Sequence, residues 1–318
     1  MKSLLITNMY PERNKDCMYA GIFVKEQIDS LQKFTDAEFD VFIIDGHISK
    51  TNYFKSVFKI LRMIQLGNYD IIHAHYGLSA LFVLFNPLKK WRNVYLTLHG
   101  GDILPAQGKW LQVFLTRQIV KRVFGVIVIN DEMTSAISPL NKNFRLIPCG
   151  VDTHFFQPPE DKHRQNRILF AGSPKRWVKN YDLFERILAQ YQKLYGTVEI
   201  VALDGFSREQ IRDLLGSSSV LVMTSHSEGS PQIIKEALSC DTAIVSTDVG
   251  DVRAVLGGTP GTAIFNASDS IDKTAELIHH VVIKSNQTLG ARRNRVFEMG
   301  LDEQHVSESL EKYYKECL

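Results

Sequence analysis

Residues 220–223, Val-Leu-Val-Met, form an unbroken apolar run, and this run limits the folds open to the 318-residue chain more than any other stretch. A strand with one wet face alternates apolar and polar side chains, whereas an unbroken run belongs in a parallel sheet covered on both faces. A polar loop from Thr224 to Gly229 follows. A helical pattern comes next, with Ser230 expected at its N-cap and Pro231 in the first helical position, where a missing N–H costs nothing. At roughly 100° per residue, Gln232, Lys235, Glu236 and Ser239 gather on one side and Ile233, Ile234, Ala237 and Leu238 on the other. The expected helix therefore buries one face and shows a polar stripe that carries Glu236. Ligands of open α/β sheets bind at the carboxyl ends of strands, beside helix N-termini whose free N–H groups favour anions. Glu228 in the loop and Glu236 on the helix are thus expected to face one crevice.

The same strand–loop–helix unit recurs. In the first half, short apolar runs at 3–7, 40–44, 71–73, 94–97, 125–129 and 145–147 alternate with helical patterns at 23–34, 53–66, 78–85, 110–122 and 132–137. In the second half, runs at 167–171, 198–202, 220–223, 243–246 and 262–265 alternate with helical patterns at 181–191, 208–215, 231–240 and 271–282, and a helical tail covers 287–299 and 303–316. Such alternation predicts doubly wound parallel sheets. The polar, proline-bearing stretch 148–166 interrupts it and predicts a linker between two domains.

Composition narrows the class. With 44% hydrophobic and 23% charged residues the chain reads as soluble and globular. No stretch nears the 18 or so apolar residues of a membrane span, and the apolar core near the N-terminus is shorter than the roughly 7–15 residues a signal peptide needs. Cys17, Cys149, Cys240 and Cys317 are scattered without metal or disulfide spacing, which suits a reducing cytoplasm. Residues 1–150 hold 18 Lys and Arg against 12 Asp and Glu, while the rest hold 19 against 23. A basic front half suggests an anionic partner, either a membrane surface or a phosphate-linked substrate. Within it, 50–62 mixes lysines and an arginine with aromatic and aliphatic residues, as in a helix lying on lipid, and Lys89, Lys90, Trp91 and Arg92 offer a second contact. The rival reading packs the apolar residues on the sheet and leaves the lysines in water.

Glu228 and Glu236 in the context EGSPQIIKEAL resemble the paired-glutamate motif of retaining family 4 glycosyltransferases of the GT-B fold. Together with STDVGDVRAVLGG, the stretch is similar to enzymes of teichuronic-acid and other cell-surface polysaccharide pathways. The resemblance spans most of the chain and is most specific between Leu169 and Leu256. It implies two doubly wound Rossmann-like domains facing across a cleft. The N-terminal, acceptor-side domain would take residues 1–155 plus a returning C-terminal helix at about 303–318. The nucleotide-sugar domain would take 156–302.

Further motifs carry the likeness. Gly21, in YAGIFVKEQIDSL, matches the family's glycine loop, where a glycine lets backbone approach a phosphate; Ala20 stands where many relatives have a first glycine. His99-Gly100-Gly101-Asp102 matches an HG-x-D stretch whose histidine contacts the transferred sugar, with Asp102 free to orient a hydroxyl or the acceptor. His73 and His75 also end a strand and, two apart, share one face of it. With no third ligand evident, the pair reads as structural or acceptor-side, and no metal site is expected. The loop after the run at 167–171 looks like the family's basic loop, in which Lys179 and an arginine hold the donor diphosphate. Ser173 replaces the usual arginine, so Lys175 or Arg176 must supply the charge, and Arg176 is preferred. Fixed cations stabilise the charge that grows on a departing diphosphate. Asp204 and Gly205 resemble the loop bordering the nucleotide base.

The resulting expectation is a retaining, metal-independent glycosyltransferase that needs no cofactor. His99, Arg176, Lys179 and Glu228 would be catalytic. Gly21, Asp204, Gly205, Gly229, Ser230, Pro231, Gln232 and Glu236 would hold the donor. That donor is a nucleotide-diphosphate sugar, with a UDP-sugar preferred. Glu236 would accept from the ribose diol, while Glu228 and the N–H groups of Gly229 and Ser230 would hold the sugar hydroxyls. The acceptor would be a glycan or a lipid-linked sugar at the inner face of the plasma membrane, with no nucleic acid involved. Two other classes stay open from the residues: a sugar-nucleotide epimerase on the same architecture, and a two-domain sugar-binding protein without catalysis.

Overall fold

A computed structural model describes residues 1–11, 21–86, 91–104, 109–160 and 164–318. Ala20, Cys17, Lys89 and Lys90 lie outside the described residues. The chain divides into two compact units, the first holding Met1–Gly150 and Glu303–Leu318, the second Val151–Asp302.

The first unit is built on six parallel strands: β1 (Lys2–Thr7), β2 (Glu38–Ile43), β3 (Ile71–His75), β4 (Trp91–Thr97), β5 (Val123–Val128) and β6 (Phe144–Leu146). They lie in the order β2-β1-β3-β4-β5-β6. The helices are α1 (Ile22–Phe34), α2 (Thr51–Gly67), α3 (Trp110–Val120) and α4 (Asp131–Ile137). Between β3 and β4 the expected α-helix is instead a 3-10 run, Gly77–Phe85, with a non-helical residue at Ala80. That run is pinned against α3: a Cβ on Gly77 would fall 2.0 Å from Oγ1 of Thr116.

The second unit holds β7 (Gln165–Phe170), β8 (Glu199–Ala202), β9 (Ser218–Met223), β10 (Ala243–Thr247) and β11 (Thr262–Phe265), all parallel, in the order β11-β10-β9-β7-β8. Its helices are α5 (Tyr181–Tyr195), α6 (Arg208–Ser217), α7 (Gln232–Ser239), α8 (Val252–Leu256), α9 (Ile271–Ser285) and α10 (Ala291–Glu298). The apolar run in β9 serves two cores at once. Leu221 and Met223 pack into one cluster with Leu169, Ile234 and Leu238, and Val220 and Val222 into another with Phe170, Phe184 and Ile278. Each side chain points into one of two covered faces, so no position is left for a polar residue.

The last helix, α11 (Glu303–Lys315), belongs to the first unit. Lys33 of α1 pairs with Glu303, the hydroxyls of Ser30 and Ser307 meet at 2.6 Å, and Tyr313 and Tyr314 enter a core with Tyr95 and Ile127. The boundary falls earlier than the expected position after residue 155. Val151 donates to the carbonyl of Leu301, Phe156 donates to that of Asp152, and both side chains are buried with Leu169 and Leu221. Residues 151–155 are therefore the first turn of the second unit.

In each sheet the chain leaves one strand in opposite directions, at β1/β3 in the first unit and β7/β9 in the second. Loops diverge at such a switch point and leave a crevice at the carboxyl ends of the two strands.

Candidate functional site

At the β7/β9 switch point the two diverging loops are tied together. The backbone N–H of His226 donates to the carbonyl of Val178 at 2.9 Å, and the Thr224 hydroxyl donates to the carbonyls of Lys179 and Asn180. The first loop ends in a 3-10 turn, Trp177–Lys179, and brings Lys179 against Glu228 of the second, Nζ to Oε1 2.8 Å. Glu228 also accepts from the Ser225 hydroxyl at 2.8 Å. The Lys179 stem lies where a side chain on Gly172 would be, since a Cβ there would come within 2.9 Å of Lys179 Cε. Gly172 also has φ +134, a region that glycine alone adopts without strain. The pair is mostly buried, with side-chain exposures of 10% and 18%. Trp177 stacks on His226 at 4.7 Å beside it. Lys175 and Arg176 are exposed on the same loop, and Ser173 donates its hydroxyl to Asp204 at 2.8 Å, joining this loop to the one after β8. Gly205, at φ +78, has open space around its α-carbon.

The helix after Glu228 departs from the amphipathic expectation. Pro231 is itself the N-cap and α7 begins at Gln232. The Ser230 hydroxyl makes no cap and donates instead to Asp251, in the loop after β10. That loop presses close: a Cβ on Gly250 would meet the carbonyl oxygen of Gly229 at 2.4 Å. Burial pushes the Asp251 carboxyl up, with Lys235 and the Ser230 hydroxyl opposing. The supposed polar stripe is inside. Lys235, Glu236 and Ser239 are all buried. Ser239 donates to the Phe156 carbonyl and accepts from Arg293 at 3.2 Å. Glu236, 2% exposed, takes a hydrogen bond from Nη1 of Arg208 at 2.7 Å.

Arg208 escaped the sequence reading. Ser207 and Gln210 form a capping box that fixes Arg208 as the first residue of α6, at the carboxyl end of β8. The Ser-x-x-Gln spacing was the signal available. Its guanidinium lies over the Phe156 ring at 4.7 Å while it holds Glu236. The second unit thus gathers Lys179, Arg208, Glu228 and Glu236 as two ion pairs, with Lys175 and Arg176 outside them. Such a set can neutralise a polyanion and accept from hydroxyls.

The first unit has its own set at the β1/β3 crevice. Gly21 is the N-cap of α1 at φ +81, and a Cβ on it would sit 2.5 Å from the carbonyl carbon and oxygen of Met9. Only glycine lets the start of α1 approach the end of β1 so closely. Strand β3 extends to His75, and the rings of His73 and His75 lie 4.4 Å apart on one face. His75 Nδ1 meets Nε2 of His99 at 3.2 Å, and the His99 ring packs on Tyr76 and Phe23. Burial lowers the His99 imidazole to about 3, and lowers His73 to about 3 with a contribution from His99. Asp102 is not free to orient a hydroxyl. Its two oxygens accept the backbone N–H groups of Gly77 at 3.0 Å and His99 at 3.1 Å, clamping the loops after β3 and β4 together. Burial raises that carboxyl to about 6 against those hydrogen bonds. Among the described residues no group of three His, Cys, Asp or Glu is placed to hold a metal ion.

Comparison with known proteins places this geometry. The sequence profile of Glycosyltransferase Family 4 matches residues 35–155, and that of Glycosyl transferases group 1 matches 160–282. A mannosyltransferase of Mycolicibacterium hassiacum, "MMP alpha-(1->4)-mannosyltransferase", is 22% identical over 60% of this chain and 56% of its own length. The putative teichuronic acid biosynthesis glycosyltransferase TuaC of Bacillus subtilis is 24% identical over 59% of this chain and 55% of its own. The chain thus matches a little over half the length of these two curated relatives. Among solved structures, sucrose-phosphate synthase of Thermosynechococcus elongatus superposes with TM-score 0.75 at 16% identity, covering 99% of each chain. Anabaena HepE, solved with UDP, superposes with TM-score 0.74 at 13% identity, covering 99% of this chain and 100% of its own. With two parallel-sheet units of this topology and both halves matched, the chain belongs to the family 4 glycosyltransferases of the GT-B fold.

Proposed function

We propose that the chain is a retaining glycosyltransferase that moves a sugar from a nucleotide-diphosphate sugar to a glycan or lipid-linked acceptor in cell-surface polysaccharide synthesis. The observation that carries the reading is the Lys179–Glu228 pair at the β7/β9 switch point, with the Arg208–Glu236 pair in the same unit. The reading draws support from relatives as well. HepE structures hold UDP and UDP-glucose, a TarM structure holds UDP with glycan ligands, and TuaC is named for teichuronic acid.

In this reading the donor is a UDP-sugar whose diphosphate lies against Lys179 and Arg176, with Arg208 behind. Glu236 accepts from the ribose diol through the oxygen that Arg208 leaves, near Asp204 and Gly205. Glu228 and the backbone of Gly229, Ser230, Pro231 and Gln232 hold the sugar, and in this reading His99 is a further sugar contact and Gly21 a phosphate contact. The bond from the anomeric carbon to phosphate oxygen breaks, and a bond to the acceptor oxygen forms on the same face. The departing phosphate takes the acceptor's proton. The fixed cations do the work a metal does elsewhere, so no metal or other cofactor is required.

A peripheral seat on the cytoplasmic face of an anionic membrane fits this role. No helix among the described residues is long and apolar enough to cross a bilayer. In α2, Phe54, Phe58 and Leu66 are exposed beside Lys55, Lys59 and Arg62, and there is no acid in the helix. Phe58 meets the exposed Phe85 edge-on at 6.3 Å, and α3 adds exposed Trp110, Leu111 and Phe114. Apolar side chains ringed by cations are what a helix at a lipid interface presents.

The test is ligand stabilisation followed by turnover. A panel of UDP-, GDP- and ADP-sugars should give a rise in Tm with a UDP-sugar, by mass action. Slow donor hydrolysis that survives EDTA should accompany it. No stabilisation by any nucleotide sugar sinks the reading. Interconversion of free donor sugars without transfer makes the protein an epimerase, and loss of turnover in EDTA, restored by manganese, removes the metal-free mechanism.

A further inference from the structure

We infer that His75 is a positioning residue that fixes the tautomer of His99, so that His99 faces the site as a neutral hydrogen-bond donor through Nδ1. The role of His99 as a sugar contact rests on the function proposed above; the tautomer does not.

The argument is an accounting of ring nitrogens. A neutral imidazole has one N–H and one bare nitrogen. His73 is fully engaged, with Nε2 2.7 Å from the Thr97 hydroxyl and Nδ1 2.7 Å from the Tyr314 hydroxyl. His75 is wholly buried and uses Nδ1 on Nε2 of His99, while its own Nε2 is buried with no partner. Two arrangements are open to that contact. If His99 donated from Nε2, His75 would carry its proton on Nε2 and bury an orphaned N–H. If His75 donates from Nδ1, the orphan is a bare lone pair. Orphaned buried N–H groups are the rarer defect in native proteins, so the second arrangement is favoured. His99 then carries its proton on Nδ1, which has no protein partner among the described residues and lies on the partly exposed side of the ring.

The groups that face this contact agree. His73 and His75 come from β3, Tyr76 from the following loop and Asp102 from the loop after β4; Tyr314 reaches His73 from α11. Asp102 spends both oxygens on backbone N–H groups and offers none to the imidazole. With no carboxylate on either ring, nothing stabilises an imidazolium, and His99 stays neutral at working pH. A neutral Nδ1–H can donate to an oxygen of a bound sugar, but it cannot serve there as a base.

The experiment is nitrogen-15 NMR of the full chain with labelled histidine, without ligand, with the His99 signals assigned by their loss in His99→Gln. The expected pattern is a protonated Nδ1 and a bare Nε2 on His99. A proton on Nε2, or on both nitrogens at neutral pH, overturns the inference. His75→Asn places an amide donor near the old Nδ1 and should leave the His99 pattern unchanged. His75→Leu removes the donor and should mix the tautomers or move the proton to Nε2. An unchanged pattern in a folded His75→Leu protein also overturns it. If the tautomer is as stated, kcat with a working donor should fall at least tenfold in His75→Leu and recover in His75→Asn. If the wild type binds no sugar nucleotide, the proposed function has failed while the NMR result still decides the tautomer.

Discussion

Lys179 offers the sharpest division between scaffold and chemistry. Lys179→Met removes the charge and keeps a stem to fill the space beside Gly172. The lost contact is a 2.8 Å ion pair. Breaking a fully buried pair costs roughly 3–5 kcal/mol, whereas an exposed pair is worth about 0.2–1 kcal/mol. Lys179 and Glu228 are 10% and 18% exposed, and the Ser225 hydroxyl still reaches the carboxylate after the change. The expected loss is therefore intermediate, about 1–3 kcal/mol, or a few degrees of Tm for each kcal/mol in a domain of this size. Turnover should suffer more, falling by about 10² to 10³, because a preorganised charge facing a leaving group acts in the transition state.

A double-mutant cycle separates the two effects. Glu228→Gln alone strands the lysine, and the combination with Lys179→Met leaves two neutral groups. Thermal melts and donor hydrolysis are measured on all four proteins. The double variant should regain most of the lost Tm and none of the lost turnover, since coupling in stability reports the pair and turnover reports the cation. If Lys179→Met keeps wild-type kcat, or if the double variant recovers activity along with stability, the pair is only a clasp between two loops.

The remaining predictions follow from other parts of the structure. Gly21→Ala should destabilise the first unit or displace the start of α1, because the added carbon would meet the Met9 carbonyl group at 2.5 Å with φ at +81; a melt unchanged from wild type would show that the loop simply yields. Stability should decline as pH falls from about 6.5 toward 3: His73, His75 and His99 all have depressed values, so the unfolded chain binds protons first in that window and acid favours it. Asp102, raised to about 6, works the other way between its ordinary value and 6, and an acid transition insensitive to His73→Asn would refute the attribution. Flotation with anionic vesicles should recover the protein at low salt, and Phe58→Ser with Lys59→Glu should abolish this; equal recovery with neutral vesicles would leave α2 as scaffold.

Much of this architecture is legible because a parallel sheet writes itself into short apolar runs. The β9 run shows why: Leu221 and Met223 serve one face and Val220 and Val222 the other, so burial on both sides leaves a short unbroken apolar run whose length and flanking polar loop mark it as a strand. The 3-10 run Gly77–Phe85 reads as an α-helix in the sequence because a segment apolar but for Ser79 carries no periodicity to distinguish the two. Loop motifs are legible where a backbone constraint demands a residue type, as at Gly21, whose position against the Met9 backbone leaves no room for a side chain.

The misreading of α7 has a different cause, and it bears on the site. Periodicity sorts residues by polarity and takes polar to mean wet. In α7 the polar side meets α6, α10 and the turn at Phe156, where Glu236 is held by Arg208 and Ser239 by the Phe156 carbonyl and Arg293. Glu236 is held by Arg208 from another element 28 residues earlier, a pairing no local pattern encodes. Burying a carboxylate is costly unless it is paired and hydrogen-bonded, so the fold must supply the arginine if the glutamate is to be rigid. A carboxylate fixed in this way loses little entropy when it accepts from a diol, whereas a solvated glutamate on an open helix face would have to be ordered by the ligand. The departure from the amphipathic pattern is thus what would turn Glu236 from a surface acid into a preorganised acceptor. On this argument Arg208→Met should weaken nucleotide-sugar binding even though Arg208 need touch neither base nor sugar. Calorimetry with a UDP-sugar decides it: affinity equal to wild type in a folded Arg208→Met protein would mean that Glu236 is held for stability alone.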